Sequence, residues 1–255
     1  MDILYDQRDA ELRYKVVKSN VLIQKAHFEL GTLEQKVMLY IISKIQPNDE
    51  DFKTYELDVY ELCEICGISF QTKNYNEFID TITSLTERTI QIDDGRYHDW
   101  IYWLERPRFD RLNKRFYFRL DDRLKPYLLQ LRGSFTQYAL DNIMSMRSKY
   151  SIRLYELFLS YAELEVFYVP VDHLRSLLEA PEAYSEFKKF RQKVLNPALS
   201  EINDLSDIEV TMETKRTGRI ITDLKFVIRR KDDTENLAAR WKRMFGRDLV
   251  GAPQC

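Results

Sequence analysis

Five side chains crowded into one short stretch, Lys188, Lys189, Arg191, Gln192 and Lys193, are all hydrogen-bond donors, and four of them carry fixed positive charge. The amide of Gln192 can also pair bidentately with adenine. Further along, the turn Lys215-Arg216-Thr217-Gly218-Arg219 sets three more cations between two alternating apolar runs, Ile208 to Met212 and Ile220 to Ile228. This chemistry suits a polyanion. A helix fits the major groove of duplex DNA. Cations on a hairpin can replace the counterions condensed on a neighbouring backbone. Three cations in one tight turn repel each other unless an anion is near. The bland alternative is a solvated surface helix and turn, since exposed Lys/Arg faces are common.

The elements that must hold these groups follow from periodicity. Phe187, Phe190, Val194, Leu195, Ala198, Ile202 and Leu205 fall along one side at helical spacing, which predicts a helix from about Ser185 with that side inward. Lys189, Gln192 and Lys193 then project from the opposite side, Lys188 lies on the flank, and Arg191 points closer to the apolar seam. Pro197 removes a helix hydrogen bond and clashes with the preceding turn. It implies either a bend or a fresh helix capped by Asn196 with the proline at its first position. Upstream, the pattern predicts a long helix over Ile143 to Ala162, a strand over Glu165 to Val169 and a short helix through Leu174, Leu177 and Leu178.

An earlier stretch repeats that order. A helix carries Leu33, Val37, Met38, Ile41, Ile42 and Ile45, with Thr32 as its N-cap and Gln35 completing a capping box. A strand at Tyr55 to Leu57, a short helix capped by Asp58 and a third helix from Tyr75 to Glu87 follow. Strands are expected at Thr89 to Ile92, Trp100 to Phe109 and Phe116 to Leu120. Helix, strand, helix, helix, hairpin is the order of a winged helix. The fold class is therefore α+β, two tandem winged-helix domains. The expected division is 1–132, 133–231 and a tail at 232–255, with the joint in Arg123 to Gly133. The tail has helical character around Leu237 to Phe245.

Bulk properties limit the partners. The chain has 255 residues, 44% hydrophobic and 31% charged, with 7 Gly and 7 Pro, so it is globular in type. Its net charge of −2 rules out a global basic field, so any grip on nucleic acid must be local. The three cysteines, Cys63, Cys66 and Cys255, indicate a reducing compartment. No apolar run approaches the roughly 20 residues of a membrane span, and the residues from Met1 to Asp6 show no leader. A cytoplasmic location, with no membrane partner, is expected.

The run Tyr184…Phe190-Arg191-Gln192-Lys193-Val194-Leu195-Asn196…Ala198-Leu199-Ser200-Glu201-Ile202, followed by Gly218-Arg219-Ile220…Leu224-Lys225-Phe226, resembles the plasmid replication initiator (Rep) family. So does Ser148-Lys149-Tyr150-Ser151-Ile152-Arg153-Leu154-Tyr155-Glu156-Leu157. Val17-Lys18-Ser19-Asn20 with Thr32-Leu33-Glu34-Gln35 is similar to that family's N-terminal entry. The resemblance spans nearly the whole chain. It implies two winged-helix domains. The C-terminal one would read origin repeats (iterons) through its third helix. The N-terminal one would form the homodimer and add DNA contacts in the monomer. Monomers would initiate replication, and dimers would repress their own promoter at an operator inverted repeat. A host initiator ATPase, a replicative helicase and chaperones are the implied partners. Transferred to this sequence, Lys189, Gln192 and Lys193 are expected in the major groove and Lys215, Arg216 and Arg219 on the wing. Arg147 and Lys149 are expected on phosphate, with simple helix solvation as the equal alternative.

Other chemistry finds little footing. Cys63 and Cys66 have CxxC spacing, but no second ligand pair exists for zinc, and burial in the short helix is expected of them. His27, His98 and His173 are scattered, which leaves no His-x-His for a nickase. No Gly-rich phosphate loop or nucleophile elbow occurs. No catalytic residue, metal or cofactor is expected. Tyr97, Trp100, Tyr102 and Trp103 are assigned to core or dimer interface rather than to base stacking. A winged-helix repressor without an initiator role is the alternative function, and a protein–protein scaffold is the alternative of a different class.

Overall fold

The computed structural model describes residues 15–245 except 47, 67, 69–71 and 94. Cys255 and the N-terminal residues just mentioned lie outside them. The chain divides into two compact units, Met1–Met144 and Ser145–Cys255. Among the described residues no helix is long and apolar enough to cross a membrane.

The first unit begins with β1 (Lys15–Ser19) and α1 (Asn20–Gln24), and then α2 (Thr32–Ser43). β2 (Tyr55–Asp58), α3 (Val59–Ile65) and α4 (Thr72–Leu85) follow. Two hairpins come next, β3 (Thr89–Asp93) with β4 (His98–Tyr102), and β5 (Leu104–Asp110) with β6 (Arg115–Leu120). β2 adds antiparallel to β6, giving a three-stranded sheet in the order β2-β6-β5. This is a winged helix with one extra hairpin. α5 (Lys125–Leu128), β7 (Phe135–Ala139) and α6 (Asp141–Met144) close the unit. β7 pairs along β1, so the chain past residue 133 still belongs here. The units therefore part after Met144, later than the joint expected at 132/133.

Two further local differences have physical causes. The strand expected over Trp100 to Phe109 is two strands in two sheets, parted at Trp103. That side chain is 1% exposed and packs edge-on against Phe28 at 5.4 Å. The cap of α2 shifts by one residue. Gly31, not Thr32, is the N-cap, and Glu34 closes the box by accepting from the Gly31 N–H at 2.6 Å.

Glu34 has a second duty. It is buried, and it also accepts from Ser84 Oγ at 2.6 Å and Arg88 Nε at 3.1 Å, tying α2 to α4. Burial alone would raise its pKa. The hydrogen bonds from Ser84, Gly31 and Arg88 outweigh it and hold the carboxyl below the ordinary 4.5. A depressed folded pKa means stability that is fully present above the unfolded value and is lost as pH falls through the folded one. Glu34→Gln should therefore lose about 1–2 kcal/mol at pH 7. The gap between parent and variant should narrow below pH 4.5. Urea midpoints at neutral and acid pH check this.

The second unit repeats the order. It contains α7 (Lys149–Ser160), β8 (Val166–Pro170), α8 (Val171–Leu177), then α9 (Phe187–Phe190), a π-turn (Arg191–Leu195) and α10 (Asn196–Leu205). β9 (Ile208–Thr217), β10 (Ile220–Arg230) and α11 (Asp233–Phe245) complete it. The sheet order is β8-β10-β9. Its inner face sets Leu224, Phe226 and Ile228 against the helices, with Ile152, Phe158, Leu174, Phe190 and Ile202 all buried in the same core. The long helix expected from Ile143 instead starts afresh at Lys149. Ser148 caps it by accepting from Tyr150 N at 3.2 Å, and Glu201 accepts from the N–H groups of Arg147 and Ser148 at 2.6 and 3.2 Å.

The expected tail is part of this unit. α11 docks beside the end of α10, where Lys242 pairs with Asp204 at 3.2 Å and Arg243 donates to the Leu205 carbonyl. Lys231 donates to the carbonyls of Asn203 and Ser206, so cations occupy the negative end of α10.

Candidate nucleic-acid interface

The basic segment lies where helix burial ends. Phe190, Val194 and Leu195 are at most 1% exposed and anchor the stretch to the core, while Lys188, Lys189, Arg191, Gln192 and Lys193 are all exposed. The Arg175 guanidinium lies 5.3 Å from the Phe190 ring and is itself paired with Asp172 at 2.7 Å. Neither a carboxylate nor a hydrogen bond engages the five exposed side chains among the described residues. α10 begins at Asn196 with Pro197 in its first turn, but Asn196 does not cap it, because the backbone is already helical at Leu195. The π-turn runs straight into α10, with Asn196 N–H bonding the Arg191 carbonyl five residues back.

The wing is rigid at its base and open at its tip. Asn203 clamps the start of β9 to the helix, accepting from Val210 N at 2.7 Å and donating to Val210 O at 3.0 Å. The tip is a two-residue turn, Thr217 pairing with Ile220. Gly218 has φ +63° there, the left-handed value that the first position of a type II′ turn needs. An extra residue, Thr222, bulges β10. Its hydroxyl contacts Thr217 at 3.1 Å, bracing the tip. Lys215, Arg216 and Arg219 are exposed on it, with no carboxylate against them among the described residues.

Arg147 and Lys149 lie at the start of α7. The N–H groups of Arg147 and of Ser148, between the two, donate to Glu201 on α10. The Arg147 side chain is exposed, whereas Lys149 is half-buried with its ammonium 5.3 Å from the Tyr150 ring.

The first unit holds cations that periodicity passed over. Arg106 to Arg115 contains five cations against one acid, Asp110, across the end of an expected strand and the residues that follow it. Asp110 is occupied within the turn, accepting from Leu112 N at 2.9 Å and Asn113 N at 3.0 Å. Arg115 is paired with Glu56 and Asp58. Arg106, Arg108 and Arg111 are exposed on the β5–β6 wing. The cation count over ten residues was the available signal.

The remaining candidates sort by burial. Cys63 and Cys66 are buried on α3, and burial pushes their thiols up to about 11 and about 12. Inert packing follows, not redox chemistry. Trp103 is core, whereas Tyr97, Trp100 and Tyr102 are 50–56% exposed on the β3–β4 hairpin.

Known proteins align with this architecture. A family model described as "Initiator Replication protein, WH1" matches residues 15–159, and one described as "Initiator Rep protein, WH2" matches 170–228. A replication initiation protein from Escherichia coli is 24% identical over 227 residues, covering 84% of this chain and 69% of its own. The crystal structure of Pi initiator protein in complex with iteron DNA superimposes with a TM-score of 0.72 at 21% identity, covering 87% of this chain and 99% of that one. With models for both winged-helix domains matching most of its length, this chain belongs to the plasmid initiator replication (Rep) protein family.

Proposed function

We propose that this chain initiates replication of a plasmid by binding the iterons of its origin as duplex DNA, and that as a homodimer it represses its own promoter. The basic stretch from Lys188 to Lys193 enters the major groove, and Lys215, Arg216 and Arg219 neutralise backbone phosphates beside it. Arg147 adds a phosphate contact, with Lys149 in a lesser role. The observation that supports this best is the set of eight exposed donors on helix and wing, none of them paired with an acid among the described residues and all joined to one rigid base by Asn203. The likeness to an initiator whose structure was determined with iteron DNA supports the same assignment.

In the first unit, Arg106, Arg108 and Arg111 supply the accessory DNA contact, and the exposed Trp100 and Tyr102 contribute to the dimer face. The chain acts by binding and recruitment in the cytoplasm, without catalysis. A host initiator ATPase, a helicase and chaperones are its protein partners.

Footprinting on the DNA flanking its own gene tests the function. Repeated protected sites are expected, with log affinity falling against log salt at a slope of roughly −3.6 or steeper, four or more phosphates at about 0.9 each. A slope shallower than about −2, or no protected repeat, would refute duplex recognition. Protection at the promoter without replication of a plasmid carrying the repeats would leave a repressor instead.

A further inference from the structure

The π-turn changes which residues of the helix face outward. A π-turn holds roughly 4.4 residues, about 82° each, against 3.6 and 100° in an α-helix. Take Phe190, Val194, Leu195 and Ala198 as the buried arc. In unbroken α register Arg191 would lie within about 40° of its centre, under the helix. Through the π-turn it swings to about 75° from the centre of the local apolar arc. Arg191 is indeed exposed, although its neighbour Phe190 is 0% exposed. The arc spanned by Arg191, Gln192 and Lys193 also narrows, from about 200° to about 165°. Three consecutive side chains thus share one half of the helix circumference.

Two features hold the turn open. Phe190, Val194, Ala198 and Ile202 are buried at intervals of four, which drifts around an α-helix but is nearly in phase across a wider turn. Pro197 cannot donate to the carbonyl of Lys193, and its ring would clash there in α geometry. The bond from Asn196 to Arg191, five residues back, shifts the ladder by one just before the proline.

We propose that the π-turn Arg191–Leu195 is the specificity element of this recognition helix, and that it delivers Arg191 to a base edge beside Gln192, the guanidinium taking the two acceptors of a guanine. This rests on the duplex-binding function proposed above. Guanine presents O6 and N7 to the fork of an arginine. A lysine offers only a point charge in its place.

The test uses the full chain, Arg191→Ala and Arg191→Lys, each titrated with the repeat identified by footprinting and with a scrambled duplex of the same composition. Both variants should bind the repeat roughly 10- to 100-fold more weakly, with affinity for the scrambled duplex held within about threefold. Unchanged binding by Arg191→Ala overturns the proposal. So does an equal loss on both duplexes that Arg191→Lys restores, which is the behaviour of a phosphate contact. If the parent chain itself does not distinguish repeat from scramble, the duplex-reading function fails, and this assignment falls with it.

Discussion

Lys189→Ala combined with Lys193→Ala is expected to weaken binding to the origin repeat roughly 10³-fold, about 2 kcal/mol for each side chain. The slope of log affinity against log salt should become shallower by about two, since each phosphate contact contributes roughly 0.9. Both lysines are exposed and project from a segment whose buried side is fixed by Phe190, Val194 and Leu195. Neither is paired with a carboxylate among the described residues, so their removal leaves no buried charge orphaned. The folded state should be untouched, with the melting temperature moving by no more than a degree or two, because surface substitutions of this kind stay within about 0.5 kcal/mol. That combination, a large loss of affinity without loss of stability, separates a duplex-binding surface from a solvated face. A scaffold that meets only proteins would show neither the salt slope nor its change. Fluorescence anisotropy across a series of salt concentrations makes the measurement.

What could be foreseen from the sequence was whatever short-range periodicity and charge encode. The order of elements in both units follows from spacing of three, four and two, and the basic helix and wing stand out as charge clusters. The misses come from partners distant in sequence. Nothing near Arg147 announces that Glu201, 54 residues on, will occupy its N–H and end any helix running in from Ile143. Nothing in Phe135–Ala139 says that Lys15–Ser19 will pair with it and draw the unit boundary past Met144. The break at Trp103 depends on the Phe28 ring that receives it. The π-turn is a different case. Its signal, four buried side chains at intervals of four with a proline among them, was local, but a helical wheel at 100° per residue absorbs it as scatter. On that wheel Arg191 falls toward the apolar seam. The cations of the first wing were also in plain view, but Arg106 and Arg108 fall in an expected strand and Arg111 beyond its end, so they do not stand out as one cluster.

The second large effect concerns the core that aims helix and wing. Phe226→Ala should destabilise the second unit by about 3–5 kcal/mol, the usual cost of truncating a buried phenylalanine. Phe226 is 0% exposed on the middle strand of its sheet. Its ring meets Phe158 of α7 at 4.8 Å and Phe167 of β8 at 6.2 Å, and Phe167 in turn stacks on Tyr161 at 4.2 Å. A helix and two strands converge there, so collapse of the void would drag aromatic partners out of register. Most of the space should therefore stay empty, which is the costly case. For a unit of this size each kcal/mol moves the melting point by about 4 °C, so a fall of roughly 12–20 °C is expected by calorimetry. The DNA-binding consequence differs in kind from that of the lysine pair. Phe226 reaches no surface, so molecules that remain folded should bind the repeat with the parent salt slope. Because duplex binds only the folded form, adding it at 100 times its dissociation constant should restore about 2.7 kcal/mol and raise the variant's melting point. A variant whose salt slope changed as well would show that the core sets the aim of Lys189 and Lys193 as well as the stability of the unit.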